Sequence, residues 1–381
     1  MKKTIPGLNG LRAISIFIVI FSHLNVSAFY GQLVPGTQFL DGQFGVTVFF
    51  ILSGFLITTL LLKEEGANGR ISLRDFYLKR ALRIFPVYFL LLAVYKTLQL
   101  AGVLSFSNIS WITALTYTKD FKWNTDWEMA HLWSLSVEEQ FYIFWPLVFM
   151  FTPKHRAKFA FAIVVLSPLC RALGQRYTQE GFDMYSIFQR ADALMWGCIF
   201  AMYHRRISRF INRMVAFHPL TALAPFLALV GLDQFSQFNH AYNWHLGFII
   251  VPFGNLTGTI ACIAIAAIII ISSEYSNNPW SRLLNTRFMN YIGVLSYSLY
   301  IWQQLYFSHS IGVLSSLPLN LALIFATAML SYYLIEKPFL TLKGRLTQAK
   351  PALSGQLISR PIEVAHSHQK LEEVSYEEVI G

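Results

Sequence analysis

Arg12 and His23 lie eleven residues apart in one apolar run near the N-terminus. At 100° per residue, that spacing returns to within about 20° of the starting direction. A helix over the run therefore carries both on one face, about 16 Å apart along its axis. Placing an ionisable side chain in a membrane span costs at least about 2.5–3.5 kcal/mol, so such a residue is a functional hypothesis by default. An imidazole there has the chemistry of a general base or a transient nucleophile near neutral pH. Spacing alone leaves His23 evenly balanced between that role and a histidine satisfied by a neighbouring helix.

Other groups share this ambiguity. Arg80 and Arg83 are three apart, hence neighbours on a helix surface. Paired guanidiniums suit phosphate, which they bind bidentately, but they also suit ordinary cytoplasmic charge. The stretch His131-Leu-Trp133-Ser134-Leu-Ser136-Val-Glu138-Glu139-Gln140-Phe-Tyr142 is dense in polar groups. Ser136 with Glu139 reads as a capping box for the next helix, which leaves His131, Trp133 and Glu138 unexplained. Arg190 and Asp192 could simply neutralise each other. Ser53-Gly54 and the run Gly293-Val-Leu-Ser296-Tyr297-Ser298-Leu-Tyr300 read first as helix packing.

The elements that must position these groups follow from composition. The 381 residues are 55% hydrophobic and 13% charged, about half the roughly 25% charge of a soluble domain. Mean hydropathy is +0.46. Phe (33) and Trp (9) are abundant, as lipid-facing surfaces and interfacial belts require. The expected fold is an all-α integral membrane bundle. Runs of roughly 20 residues are needed to cross the hydrocarbon. Ten fit: Leu11–Tyr30, Phe44–Leu62, Ala81–Ala101, Val137–Phe151, Ala157–Leu173, Ile187–Tyr203, His218–Leu232, Gly247–Ile271, Met289–Ser308 and Pro318–Ile335.

Charge orients them. The net charge of +10 arises from basic residues in short connectors, which argues for the positive-inside rule and against nucleic acid. With Lys2 and Lys3 cytoplasmic, ten spans put most Lys and Arg inside and both termini in the cytoplasm. If Phe106–Tyr117 also crossed, Lys154, Arg156, Lys158, Arg205, Arg206, Arg209 and Arg213 would fall outside. Residues 106–136 therefore read as an outer loop with a re-entrant or interfacial piece, with Lys119 and Lys122 accessible from outside. Arg12 and His23 interrupt the first run, which argues against a cleaved signal. Residues 1–341 form the membrane domain, and 342–381 read as a polar, flexible cytoplasmic tail. Cys170, Cys198 and Cys262 are far apart in apolar runs and read as packing, with no metal or disulfide pattern.

Taken in order, the motifs converge. They are Gly10-Leu11-Arg12 with His23, Phe49-Phe50-Ile-Leu-Ser53-Gly54-Phe55, Arg80 and Arg83 before Pro86-Val-Tyr88, and Trp133 to Tyr142. Arg190-Ala-Asp192, Ser296-Tyr297-Ser298-Leu-Tyr300 and Ile335-Glu336-Lys337-Pro338-Phe339 follow. From about Leu8 to Phe339 the chain resembles the membrane-bound acyltransferase-3 family, bacterial enzymes that O-acylate surface polysaccharides and related acceptors from acyl-CoA. Asn9 stands where that family often has Asp, so no carboxylate acts there. No hydrolase-like domain of the kind fused to some members is expected, which leaves acceptor handling to the membrane part or a separate partner.

The resemblance implies an O-acyltransferase, most simply an O-acetyltransferase, in the bacterial cytoplasmic (inner) membrane. Acetyl-CoA or another acyl-CoA would be its co-substrate, a cell-envelope glycan its acceptor and the bilayer its surroundings, with no metal. It implies that Arg80, Arg83 and Arg12 hold the donor. His23, with Arg12, Glu138 and Glu139, would carry the chemistry. His131, Trp133, Arg190, Asp192, Tyr297 and Tyr300 would line the acceptor side, and Asp41 is a possible orienter of His23. The alternative is a proton-coupled transporter or flippase using the same buried charges, for which inverted repeats would be the signature. No clear repeat relates the two halves.

Overall fold

The computed structural model describes residues 6–26, 42–121, 126–177, 186–217, 247–274 and 279–348. Among them the chain is helical, without strands. The first half comprises α1 (Leu8–Val26), α2 (Gly42–Asn68), α3 (Leu73–Leu100), the short α4 (Asn108–Leu115) and α5 (Trp127–Ala130), then α6 (Leu132–Phe151) and α7 (Arg156–Tyr177). The second half comprises α8 (Ile187–Met202), α9 (His204–Phe217), α10 (Gly247–Glu274), α11 (Pro279–Leu284), α12 (Arg287–Tyr306), α13 (Leu319–Ser331), a π-helical turn (Tyr332–Glu336) and α14 (Lys337–Gln348).

Helices occupy the expected apolar windows, except that His218–Leu232 lies outside the described residues. Among the described residues, three stretches are long and apolar enough to cross a membrane: Gly42–Asn68, Leu73–Leu100 and Leu319–Lys343. Leu8–Leu24 and Thr259–Ser272 are shorter apolar helices. Phe144, Phe151, Leu330 and Leu334 point outward and are exposed. Apolar side chains on an outer surface are what a lipid environment accepts.

Two boundaries differ from the sequence reading. Ser72 caps α3, its Oγ accepting from the Asp75 amide at 3.3 Å. The helix therefore starts eight residues before the expected span, and Arg80 joins Arg83 within it rather than lying in a connector. The expected capping box is also absent. The N-cap of α6 is His131, and Ser136 lies a turn inside the helix, bonded to the Leu132 carbonyl at 3.1 Å. The helix starts early because α5 and the His131 turn feed directly into it. At the far end, α14 runs to Gln348.

Close helix approach sets the core. A Cβ on Gly54 would lie 1.9 Å from the Leu194 carbonyl, and one on Gly197 would lie 2.2 Å from that of Ile51. Small residues at both positions let α2 and α8 touch backbone to backbone. At Gly293 a Cβ would meet the Asn9 carbonyl at 2.1 Å, which locks α12 against α1. Higher up the same pair, the His23 ring stacks on Phe307 with centroids 6.0 Å apart. Asn9–Gly293 and His23–Phe307 have the same sequence offset. The two helices therefore run parallel and in register from end to end.

The segment between α3 and α6 is pinned rather than loose. Asp120 accepts from Gln140 Nε2 at 2.8 Å and from the Ile187 amide at 3.1 Å, joining the segment to α6 and α8. Lys119 is fully buried, its Nζ donating to Ser110 Oγ at 2.8 Å. The expectation of an accessible Lys119 is therefore corrected, and Lys122 lies outside the described residues. Burial raises the Asp120 pKa to about 6 and lowers that of Lys119 to about 8.

Candidate active site

α1, α2, α3, α6 and α12 line a partly open cavity of about 90 Å³. Arg12 comes from α1, Ser53 from α2, Arg80 and Arg83 from α3, Ser134, Glu138 and Tyr142 from α6, and Ser296, Tyr297 and Tyr300 from α12. The three arginines, up to 71 residues apart in sequence, thus meet at one place. Ionisable groups in its lining are three guanidiniums, one carboxylate and the phenols. That balance favours an anionic guest.

The polar groups around the cavity are mutually bonded. Ser53 Oγ donates to Glu138 Oε1 at 2.8 Å. The Tyr142 hydroxyl lies 3.1 Å from Ser53 Oγ and 3.2 Å from Glu138 Oε2. The Arg80 guanidinium lies 5.1 Å from the Tyr142 ring centroid, a cation–π arrangement. Arg12 sits within electrostatic reach of Arg83, Glu336, Tyr142 and Glu138. Glu336 is buried, bonded by Ser298 Oγ at 2.8 Å, and presented by the π-helical turn. Such turns recur at functional sites because they redirect side chains from the helical register.

Ser53, Tyr142 and Glu336 were missed as site residues. Ser53 was read with Gly54 as packing, but the pair divides its work. Gly54 makes the helix contact, while Ser53 holds Glu138. Glu138 and Glu139 also part company. Glu138 lines the cavity among the arginines, whereas Glu139 is buried beside it, outside the cavity lining, with Oε1 unbonded. Successive helical residues point about 100° apart, so only one can face the cavity.

His23 stands apart from the cavity lining. It is half-buried between Phe307 and Trp127, whose ring meets it edge-on at 5.9 Å. Its Nδ1 lies 2.8 Å from the Val19 carbonyl oxygen. A carbonyl only accepts, so Nδ1 carries the proton and neutral His23 keeps its lone pair on Nε2. Asp41, suggested as its orienter, lies outside the described residues. The backbone carbonyl of Val19 is an orienting group the sequence could not single out.

The acceptor-side candidates separate. His131 is buried, with Nε2 donating to the Ile301 carbonyl at 3.1 Å. Tyr300 places its hydroxyl 2.5 Å from Ser134 Oγ and 3.0 Å from the His131 carbonyl. The Tyr297 hydroxyl donates to the Ile84 carbonyl at 2.8 Å. These bonds stitch α12 to α6 and α3. Trp133 packs edge-on against Phe50 at 5.9 Å, with the Arg190 guanidinium 5.8 Å from its ring centroid. Arg190 also bonds Gln43 Oε1. Asp192 pairs with Arg171, at 2.6 Å, and not with Arg190. The neutralisation expected within Arg190–Asp192 therefore occurs between helices α7 and α8. Among the described residues no group of three or more His, Cys, Asp or Glu side chains could hold a metal ion.

A family model described as an acyltransferase domain, acyltransferase-3, matches residues 5–336. The chain belongs to this family. It is 30% identical over 371 residues to a protein of Staphylococcus aureus (strain COL) provisionally named an O-acetyltransferase, covering 88% of this chain and 57% of the relative. It is 30% identical over 377 residues to a Bacillus subtilis (strain 168) protein provisionally named a peptidoglycan O-acetyltransferase, covering 89% and 55%. It is 28% identical over 369 residues to O-acetyltransferase OatA of S. aureus (strain NCTC 8325 / PS 47), covering 88% and 57%. The chain thus spans little more than half the length of these relatives. No solved structure matches it.

Proposed function

We propose that this protein is a multi-pass O-acyltransferase of the bacterial cytoplasmic membrane, moving an acetyl group from acetyl-CoA to a hydroxyl of a cell-envelope glycan. Ten spans with both termini cytoplasmic place Arg80 and Arg83 on the donor's side. The observation that carries the reading is the meeting of Arg12, Arg80 and Arg83 in one cavity, at the inner end of the α1 face that carries His23 farther out. The arginines bind the donor's phosphates, and its thin pantetheine arm runs outward past Arg12 along the α1 face that carries His23. The family match and the relatives' names favour transfer over transport.

At His23 the acceptor hydroxyl gives its proton to Nε2 and its oxygen attacks the thioester carbonyl carbon. The tetrahedral centre collapses with cleavage of the carbon–sulfur bond, and the leaving thiolate takes the proton from the imidazolium. The products are an ester and free CoA, and His23 returns to its starting state. Glu138, held by Ser53 and Tyr142, fixes the arginines against mutual repulsion. The test is free-thiol release from acetyl-CoA by the purified protein, with and without glycan acceptors such as peptidoglycan fragments. Acceptor-dependent release supports the reading. Binding without release under all acceptors, together with transport of any solute in vesicles, would replace it with transport.

A further inference from the structure

Gln303 is fully buried on α12, yet neither its Oε1 nor its Nε2 has a hydrogen-bond partner among the described residues. A buried carboxamide left wholly unsatisfied costs about 1–3 kcal/mol, so its persistence calls for an explanation. Its position supplies one. Ser296, Tyr300 and Gln303 follow i, i+4, i+7 spacing and share one face of α12. Ser296 and Tyr300 line the arginine cavity. Because α1 and α12 run parallel and in register, Gln303 lies one turn inward of Phe307, the residue stacked on His23. Its carboxamide also lies within hydrogen-bonding reach of the His23 imidazole, although the geometry falls short of a full bond. Gln303 therefore stands on the path from the cavity to the imidazole.

Resting on the proposed role of His23, we infer that Gln303 is a catalytic residue: its Nε2–H donates to the acyl carbonyl oxygen of the thioester. As the hydroxyl oxygen attacks and its proton moves to His23 Nε2, negative charge collects on that carbonyl oxygen. A donor already fixed in a site shielded from water stabilises the charge without reorganising. The charge returns to the carbonyl when the carbon–sulfur bond breaks, so Gln303 gains and loses no proton.

Gln303→Met, of similar length but without a donor, separates this role from packing. We expect single-turnover transfer to fall about 10²–10³-fold, with acetyl-CoA affinity unchanged and thermal stability equal or higher, since an unsatisfied polar group is removed. The infrared carbonyl stretch of bound ¹³C-acetyl-CoA should shift to higher frequency in the variant as its hydrogen bond is lost. Transfer within threefold of wild type, an unshifted carbonyl band, or a destabilised variant would overturn the inference. His23→Gln is assayed in parallel. If it transfers normally, the His23 reading fails; if it is inactive while Gln303→Met is active, only the Gln303 inference fails.

Discussion

The arginine cavity and the His23 region lie along the same pair of helices and are built differently. Around the cavity, Glu138 is bonded by Ser53 and Tyr142, Glu336 by Ser298, and Tyr297 and Tyr300 are tied to backbone carbonyls. Farther out, the His23 ring lies between two aromatic rings, Gln303 is unbonded at both amide atoms, and His131 Nδ1 is unbonded. A region whose polar groups are mostly bonded, though the Ser296 hydroxyl in its lining is not, holds its shape without a guest and suits reversible binding. A region with buried donors and acceptors left over is completed by reacting atoms. Under the proposed function, the first region holds the donor and the second does the chemistry.

The largest effect that bears on this division is the loss of His23. His23→Ala should reduce transfer by about 10²–10⁴-fold, the usual range for a general base, with folding retained. Single-turnover rates on purified protein check it, and activity within a few-fold of wild type would remove the chemistry from the outer region.

Next in size is a stability effect outside both regions. Asp192 pairs with Arg171 in a nearly buried setting. Asp192→Ala removes the carboxylate that neutralises Arg171 and leaves it the Gln189 carbonyl, at a cost of about 3–5 kcal/mol. A large drop in detergent thermal stability is expected, with acetyl-CoA affinity unchanged in the fraction that remains folded. A stable variant with weak donor binding would instead move Asp192 into the holding region.

The arginine pair should act on affinity alone. Each of Arg80→Ala and Arg83→Ala removes charge-assisted contacts worth about 1.5–3 kcal/mol, which is roughly a 10- to 150-fold rise in donor Kd. Lys at either position should rescue only partly, because it lacks the planar fork. Unchanged donor affinity in a folded double mutant would return the pair to a topology role.

The smallest effect concerns pH. The folded pKa of Asp120, about 6, lies above its unfolded value. Asp120 therefore contributes least to stability when ionised, and stability from this group falls as pH rises from about 4 through 6. Asp120→Asn should flatten the melting-temperature profile across that window. An unchanged slope would show that some other group sets it.

Much of this was legible in sequence because it depends on periodicity and order. The eleven-residue spacing of Arg12 and His23 needs only helix geometry, and the motif order carried the family. Tertiary partners were not legible. Nothing in the sequence joins Ser53 to Glu138 across 85 positions, or Asp192 to Arg171 rather than to nearby Arg190. Glu138 and Glu139 look alike in sequence, and only helix phase divides them. Lys119 read as an exposed loop cation because polarity is the only available signal there, yet Ser110 and the surrounding helices bury it. Gln303 gave no signal at all, since an amide has no titration or ligand pattern to mark it.

The most direct measurement is acetyl-CoA Kd and single-turnover transfer on the same preparations of His23→Gln and Arg83→Ala. The account predicts that His23→Gln keeps donor affinity and loses transfer, while Arg83→Ala loses affinity and recovers most transfer at saturating donor. Parallel loss of both quantities in both folded variants would contradict the division between holding and chemistry.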